Sequence, residues 1–178
     1  MAGRRPREAL AAFIDPLQRA LSCVSRANLL YRPPWPPRVQ ALGVSEEPIR
    51  LKAKDGGPAP SLYLEQQYQV IEAPDERGPW KVSTRAYRYR VDSAAGEELV
   101  LWHWHPTDQE GRPHKEPRPH LHAQVGDLRG LHLLTGRVGV ESIIRVLINE
   151  FGVQPRRDDW QSVLDTTEAL FEQWRTWP

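Results

Sequence analysis

RAYRYRVDSAAGEELVLWHWH, Arg85 to His105, decides the fold. Two runs alternate large rings or aliphatics with arginine or histidine, and DSAAGE between them is a turn carrying a glycine. Alternation with a period of two marks a strand with one buried face. Read as a hairpin whose turn centres between Ala94 and Ala95, the stretch sets Tyr87 opposite Trp102, Tyr89 opposite Val100, Arg88 opposite Leu101 and Ala86 opposite His103. One face then collects Tyr87, Tyr89, Val91, Val100, Trp102 and Trp104. The other collects Arg88, Arg90, Leu99, Leu101, His103 and His105. A slip of one residue would bury arginine among tryptophans, so the pattern opposes it. Leu99 and Leu101 predict that the second face is partly covered by a helix.

Working toward the N-terminus, SLYLEQQYQVIEA (Ser61–Ala73) repeats the period of two, with Leu62, Leu64, Tyr68 and Val70 on one face. PDERGP supplies a turn, and Trp80 to Val91 completes a meander of three antiparallel strands. Glu8 to Leu30 is helical in period, with Leu10, Phe13, Ile14, Leu17, Leu21 and Val24 at steps of three and four and Pro16 set to kink or shorten it. RPPWPP, Arg32 to Pro37, enforces an extended strap with Trp35 as its anchor.

Working toward the C-terminus, Pro106 to Pro119 is a polar, proline-studded loop and PHLHAQV a short fourth strand. Gly126, Gly130 and Gly136 break the next connection. Val140 to Phe151 is a helix with Ile143, Ile144, Leu147, Ile148 and Phe151 on its apolar face, stopped by Gly152. A last helix runs from Asp159 to about Trp174, with Asp158 and Gln161 at capping-box spacing and Trp160, Val163, Leu164, Phe171 and Trp174 as its stripe. The fold class predicted is α+β: a three- or four-stranded antiparallel meander packed on two C-terminal helices. Residues 1–40 form an N-terminal helix and proline-rich strap, an appendage or a contact for oligomerisation. Residues 41–178 form a single α+β domain with a histidine-rich loop at 103–122.

The chain has 178 residues, with 24 Lys and Arg against 23 Asp and Glu, so no whole-molecule field argues for nucleic acid. Local patches must carry that case, and residues 1–40 hold seven arginines against Glu8 and Asp15. Cys23 stands alone, which excludes an intrachain disulfide and a cysteine-based zinc knuckle; on the first helix it reads as a small core residue. No run approaches the roughly twenty apolar residues of a membrane span, and no apolar segment precedes a cleavage site. A cytoplasmic protein with no membrane partner is expected.

All six histidines fall between His103 and His132. His103 and His105 form one HxH pair and His120 and His122 another. Alternate residues on a strand share a face, roughly 6.5–7 Å apart at the α-carbons, so each pair can reach one ion. If PHLH lies beside the third strand, four imidazoles converge, a set suited to a divalent transition metal such as zinc. Paired histidines also suit acid–base catalysis, one ring neutral and one protonated. Arg88, on the same face, would hold a phosphate or stabilise a developing negative charge. His114 and His132 are assigned to solvated connections. Against this stands the plain role of a histidine capping the edge of a core beside tryptophan.

Other motifs carry less. HWHPTDQE has the HxH-x4-E spacing of the first cupin metal motif, with Glu110 as the carboxylate, but its glycines are missing or displaced and helices follow where a cupin needs strands. RAYRYR interleaves basic and aromatic residues as nucleic-acid surfaces do; a two-faced strand already accounts for Tyr87 and Tyr89, leaving Arg88 and Arg90 open. RRDD, Arg156 to Asp159, reads as a solvated helix cap. There is no P-loop and no GxSxG.

The order Tyr87-Arg88-Tyr89, Gly96, His103-Trp104-His105-Pro106 and Pro119-His120-Leu121-His122, followed by a helix, resembles the TumE-type toxins of prokaryotic toxin–antitoxin modules over about residues 80–150. The resemblance implies a toxin acting on RNA and bound by a cognate antitoxin protein. The expected function is a small nucleic-acid-directed hydrolase, a toxin-like ribonuclease. In it His103 and His120 or His122 exchange protons at the ribose 2′-OH and the leaving oxygen while Arg88 holds the phosphate. In its metal-dependent form His103, His105, His120 and His122 bind the ion. The competing expectation is a non-enzymatic binding or assembly protein whose histidines and tryptophans line a partner surface.

Overall fold

The computed structural model describes residues 2–33, 38–45, 47–75, 78–107, 112–124 and 126–174. In chain order the elements are β1 (Ala2–Gly3), α1 (Pro6–Leu21), β2 (Leu30–Tyr31), β3 (Gln40–Gly43), β4 (Ile49–Arg50), β5 (Ser61–Asp75), β6 (Gly78–Asp92), β7 (Glu98–Trp104), β8 (His120–Ala123), a 3-10 turn (Gly126–Leu128), β9 (His132–Leu134), α2 (Val140–Asn149) and α3 (Trp160–Trp174). Among the described residues the nine strands form one antiparallel sheet. Its order is β2-β3-β5-β6-β7-β8-β9, with β1 also pairing β6 and β4 pairing β5. The α+β class holds, but the meander of three or four strands is only the centre of a larger sheet.

The long hairpin β5–β6 is the frame. Leu62, Leu64, Gln66, Tyr68 and Val70 of β5 are all buried on one face, as the period of two requires. On β6 the face changes parity. Gln67 pairs Ala86 whereas Tyr68 pairs Thr84, so Arg85 is an extra, bulged residue. The bulge lets Tyr87, Tyr89 and Val91 on one side of it share the core face with Val82 and Trp80 on the other.

The three helices meet that face and build one core with it. α1 supplies Leu10, Ile14, Leu17 and Leu21 and packs against α2, α3, β5 and β6. It is therefore not an appendage. α1 ends at Leu21 rather than Leu30 because Gln18 clamps the returning chain: its amide donates to the Ala27 carbonyl at 3.0 Å and accepts from the Leu29 N–H at 2.8 Å. Pro16 sits buried inside the helix without ending it. Cys23 is fully buried, as a small core residue.

α2 presents Ile143, Ile144, Leu147 and Ile148 to the core, and Gly152 past its end takes φ of 65°. α3 begins at Trp160 with Asp159, not Asp158, in the preceding position: the Asp159 carbonyl accepts the Val163 N–H at 3.1 Å, while its carboxylate pairs with Arg157 at 2.6 and 2.8 Å. The buried stripe of α3 runs through Val163, Leu164 and Thr167. Among the described residues the helices do not cover the opposite face of the sheet. Leu101 is buried there, but not under the helix that Leu99 and Leu101 predicted. Trp35, the expected anchor of the strap, lies outside the described residues, as do Glu110, the centre of the PDERGP turn and the side chain of Trp174.

Candidate metal centre

The β6–β7 turn fixes what faces the histidines. Gly96 takes φ of 84° and donates its N–H to the Ser93 carbonyl at 2.9 Å; the Ser93 N–H donates to the Glu97 carbonyl at 2.7 Å. A register shift follows between Val91 and Asp92. The strands therefore pair two residues away from the register expected of a turn centred between Ala94 and Ala95: Tyr87 faces Trp104, Arg88 faces His103, Tyr89 faces Trp102 and Arg90 faces Leu101. An even slip preserves faces, so the two side-chain sets stand while their partners change.

β8 pairs β7 antiparallel, with His103 opposite His120 and Leu101 opposite His122. β9 then sets His132 opposite His122 and Leu134 opposite His120. Two rows cross five strands of the open face. One reads Glu65, Arg88, His103, His120, Leu134; the next reads Tyr63, Arg90, Leu101, His122, His132. The two HxH pairs thus share one side of the sheet. His114 and His132 join them instead of lying apart in solvated connections. His114 stacks edge-on against His105 at 4.0 Å between ring centroids, and His132 lies 4.1 Å from His122 and 5.1 Å from His120.

Within this cluster three rings close on one point. One ring nitrogen from each of His103, His120 and His122 lies within 4.8 Å of the others. The Nε2 atoms of His103 and His122 are 3.0 Å apart. His120 is 1% exposed, and its Nδ1 lies 2.8 Å from the Arg118 carbonyl oxygen. A carbonyl only accepts, so Nδ1 carries the proton and Nε2 keeps its lone pair. That Nε2 is buried and has no hydrogen-bond partner. His105 belongs to the wider cluster rather than the convergent set: its ring is 4.7 Å from that of His103 and 6.3 Å from that of His120.

The surroundings favour the neutral form of His103, His105 and His122. Burial, and then the neighbouring rings of His120, His105, His122 and His132, push His103 down to about 3. His105 is lowered by burial and then by His114, and His122 by burial and then by His132. Ring nitrogens of His103, His120 and His122 converging in this way form a ligand set for a cation.

Arg88 is exposed beside this set. Its guanidinium carbon lies 5.6 Å from the centre of the Tyr63 ring, and that of Arg90 lies 5.4 Å from the same ring. Tyr63 is in turn held by a 2.8 Å hydrogen bond from its hydroxyl to Glu65. Arg90 is also paired with Asp92 at 2.8 Å. No carboxylate pairs with Arg88 among the described residues. On the core face behind the histidines, Trp104 donates its indole N–H to the Pro117 carbonyl at 3.1 Å and lies under Arg137, 4.3 Å from the ring centre.

No helix among the described residues is long and apolar enough to cross a membrane. No family model, no curated protein and no solved structure matches the chain.

Proposed function

We propose that the protein is a divalent-metal-dependent hydrolase of phosphodiesters, with RNA as its first candidate substrate and zinc as its first candidate metal. The observation that carries this reading is His120: a buried ring whose Nδ1 is fixed by a carbonyl and whose Nε2 is free beside the nitrogens of His103 and His122. A carbonyl or carboxylate behind a histidine is the usual means of orienting a metal ligand. Tetrahedral zinc with Zn–N distances of roughly 2.0–2.1 Å needs its nitrogens about 3.3 Å apart, close to the 3.0 Å between His103 and His122. A zinc ion held by these three imidazoles would supply a Lewis acid and an activated water at neutral pH.

The residues around the ligands have separate tasks. Arg88, opposite His103 and free of a carboxylate, binds the substrate phosphate. Tyr63 and Glu65 hold the floor on which Arg88 rests. His105, His114 and His132 form an outer ring at the mouth of the site.

A purely histidine-based ribonuclease is the weaker form of this proposal. It requires one ring protonated near neutral pH, and the lowered His103, His105 and His122 oppose that. A cognate antitoxin, on this reading, is a protein that covers the open histidine face.

The test has two stages. Elemental analysis and zinc titration of the purified protein are expected to give one ion per chain, lost in His103→Ala and His122→Ala. RNA cleavage is then assayed in the loaded protein and in Arg88→Ala. A protein that takes up no transition metal ends the metal reading. One that binds metal but leaves RNA and model phosphodiesters intact ends the hydrolase reading and favours a binding role.

A further inference from the structure

Away from the histidines, three segments converge on a cleft of about 560 Å³: the turn after α1 carrying Arg26, the end of β4 with Arg50 and Lys52, and the α2–α3 connection with Gln154 and Arg156. Backbone bonds fix its walls. The Gln154 N–H donates to the Lys52 carbonyl at 2.7 Å, the Arg156 N–H to the Cys23 carbonyl at 2.8 Å, and Ala53 bridges Val153. The fold brings the four cations together from three separate stretches of sequence.

Among the described residues, none of Arg26, Arg50, Lys52 and Arg156 has a side-chain ion pair or hydrogen bond. Arg118, Arg145 and Arg157, by contrast, each hold a carboxylate. The whole chain carries a formal charge of only +1, so the concentration is local. Four like charges on one recess repel each other, and an anion in it relieves the repulsion.

The lining also says what kind of anion. It contains no aromatic ring, so it offers no stacking platform for a base. It contains no carboxylate, so it offers no negative charge to pair with a cationic ligand. Three guanidiniums and an ammonium match phosphate oxygens. The volume lies in the range of roughly 300–1,000 Å³ typical of small-ligand sites.

We propose that this cleft binds a compact polyanion carrying two or more phosphate groups, recognised by charge and not through a base. The site is independent of the histidine centre and does not rest on the hydrolase reading. Occupancy would tie the ends of α1, β4 and α2 together.

Inorganic tripolyphosphate is the probe. Calorimetric titration and thermal melting compare the full chain with Arg26→Ala/Arg156→Ala, with Arg50→Ala/Lys52→Ala and with His120→Ala, and short single-stranded RNA is titrated in parallel. The four side chains are exposed and hold no partner, so the double variants are expected to fold, which their own melting curves check. Tripolyphosphate should bind the wild type saturably and raise its Tm. Binding should weaken about tenfold or more in each double variant, weaken with salt between roughly 50 and 200 mM, and persist in His120→Ala. No saturable binding at about 5 mM probe, equal binding by the double variants, or loss only in His120→Ala would each overturn the proposal. So would RNA binding through these four side chains with none of tripolyphosphate, because the cleft would then track a strand.

Discussion

His120 separates a metal centre from a mere concentration of histidines. It is the one member of the cluster that is buried, tautomerically fixed and left with a free nitrogen. His103→Ala and His122→Ala should therefore lower zinc affinity by about 100-fold or more, whereas His114→Ala and His132→Ala should keep one ion per chain. Zinc titration by calorimetry checks this, and an equal loss in His132→Ala would contradict the three-ligand assignment. Glu141 gives a second residue-scale test. It is 1% exposed at the start of α2, with Oε2 unpartnered, and burial raises its pKa above 4.5; Glu168 raises it further, while a Thr167 hydrogen bond and Arg145 lower it. A carboxyl that binds its proton more tightly when folded stabilises the fold below the unfolded value, and that contribution is lost as pH rises from there through the folded value. Glu141→Gln should melt progressively higher than the wild type as pH is raised above about 4.5. A Tm difference independent of pH would show that Glu141 is not desolvated. Sequence reading reached the two HxH pairs because their spacing is a strand signal. It missed His114 and His132 because their neighbours come from chain returns that no local pattern encodes.

At the scale of elements, parity was legible and register was not. Tyr87, Tyr89, Trp102 and Trp104 declare which face is buried. Which residue lies opposite depends on how many residues the turn consumes, and Gly96 in a left-handed conformation lengthens it. The same distinction makes the bulge at Arg85 a sharp test. Deleting Arg85 restores strict alternation and turns Val82 and Trp80 away from the core that Tyr87 and Tyr89 keep. Val82 and Trp80 are only partly buried, so the deletion should cost less than the roughly 1.5–3 kcal/mol of full burial for each, read as a drop in the denaturation midpoint. Arg85→Ala, which keeps the extra residue, should cost little. Equal effects of the two would remove the bulge as the cause. Gly96→Ala should cost about 1–2 kcal/mol because its φ of 84° disfavours a side chain.

Over the whole molecule the clearest departure from expectation is α1. Its period of three and four was plain, but periodicity reveals an apolar face and not what that face meets. Leu10, Ile14, Leu17 and Leu21 turn out to share a core with α2, α3 and the central strands. Each is worth about 1.5–3 kcal/mol, together comparable to the roughly 5–15 kcal/mol net stability of a domain. Removing residues 2–24 should leave a chain without a cooperative melt or near-ultraviolet circular dichroism. Leu21→Ala should cost about 2–5 kcal/mol. The extent of the sheet was hidden for another reason: β1, β2 and β4 have two residues each, too few for a period to register.

β7 and β8 each contribute ring nitrogens to the same point, and among the described residues β9 is the only strand outside them on that side. A cation bridging His103 to His120 and His122 would act as a removable stitch at the sheet's margin. Zinc should then slow deuterium uptake at the amides of β8 far more than at those of β5, which lies two strands further from the ion, beyond β6 and β7. If uptake slows evenly across the sheet, the ion does not clasp that border.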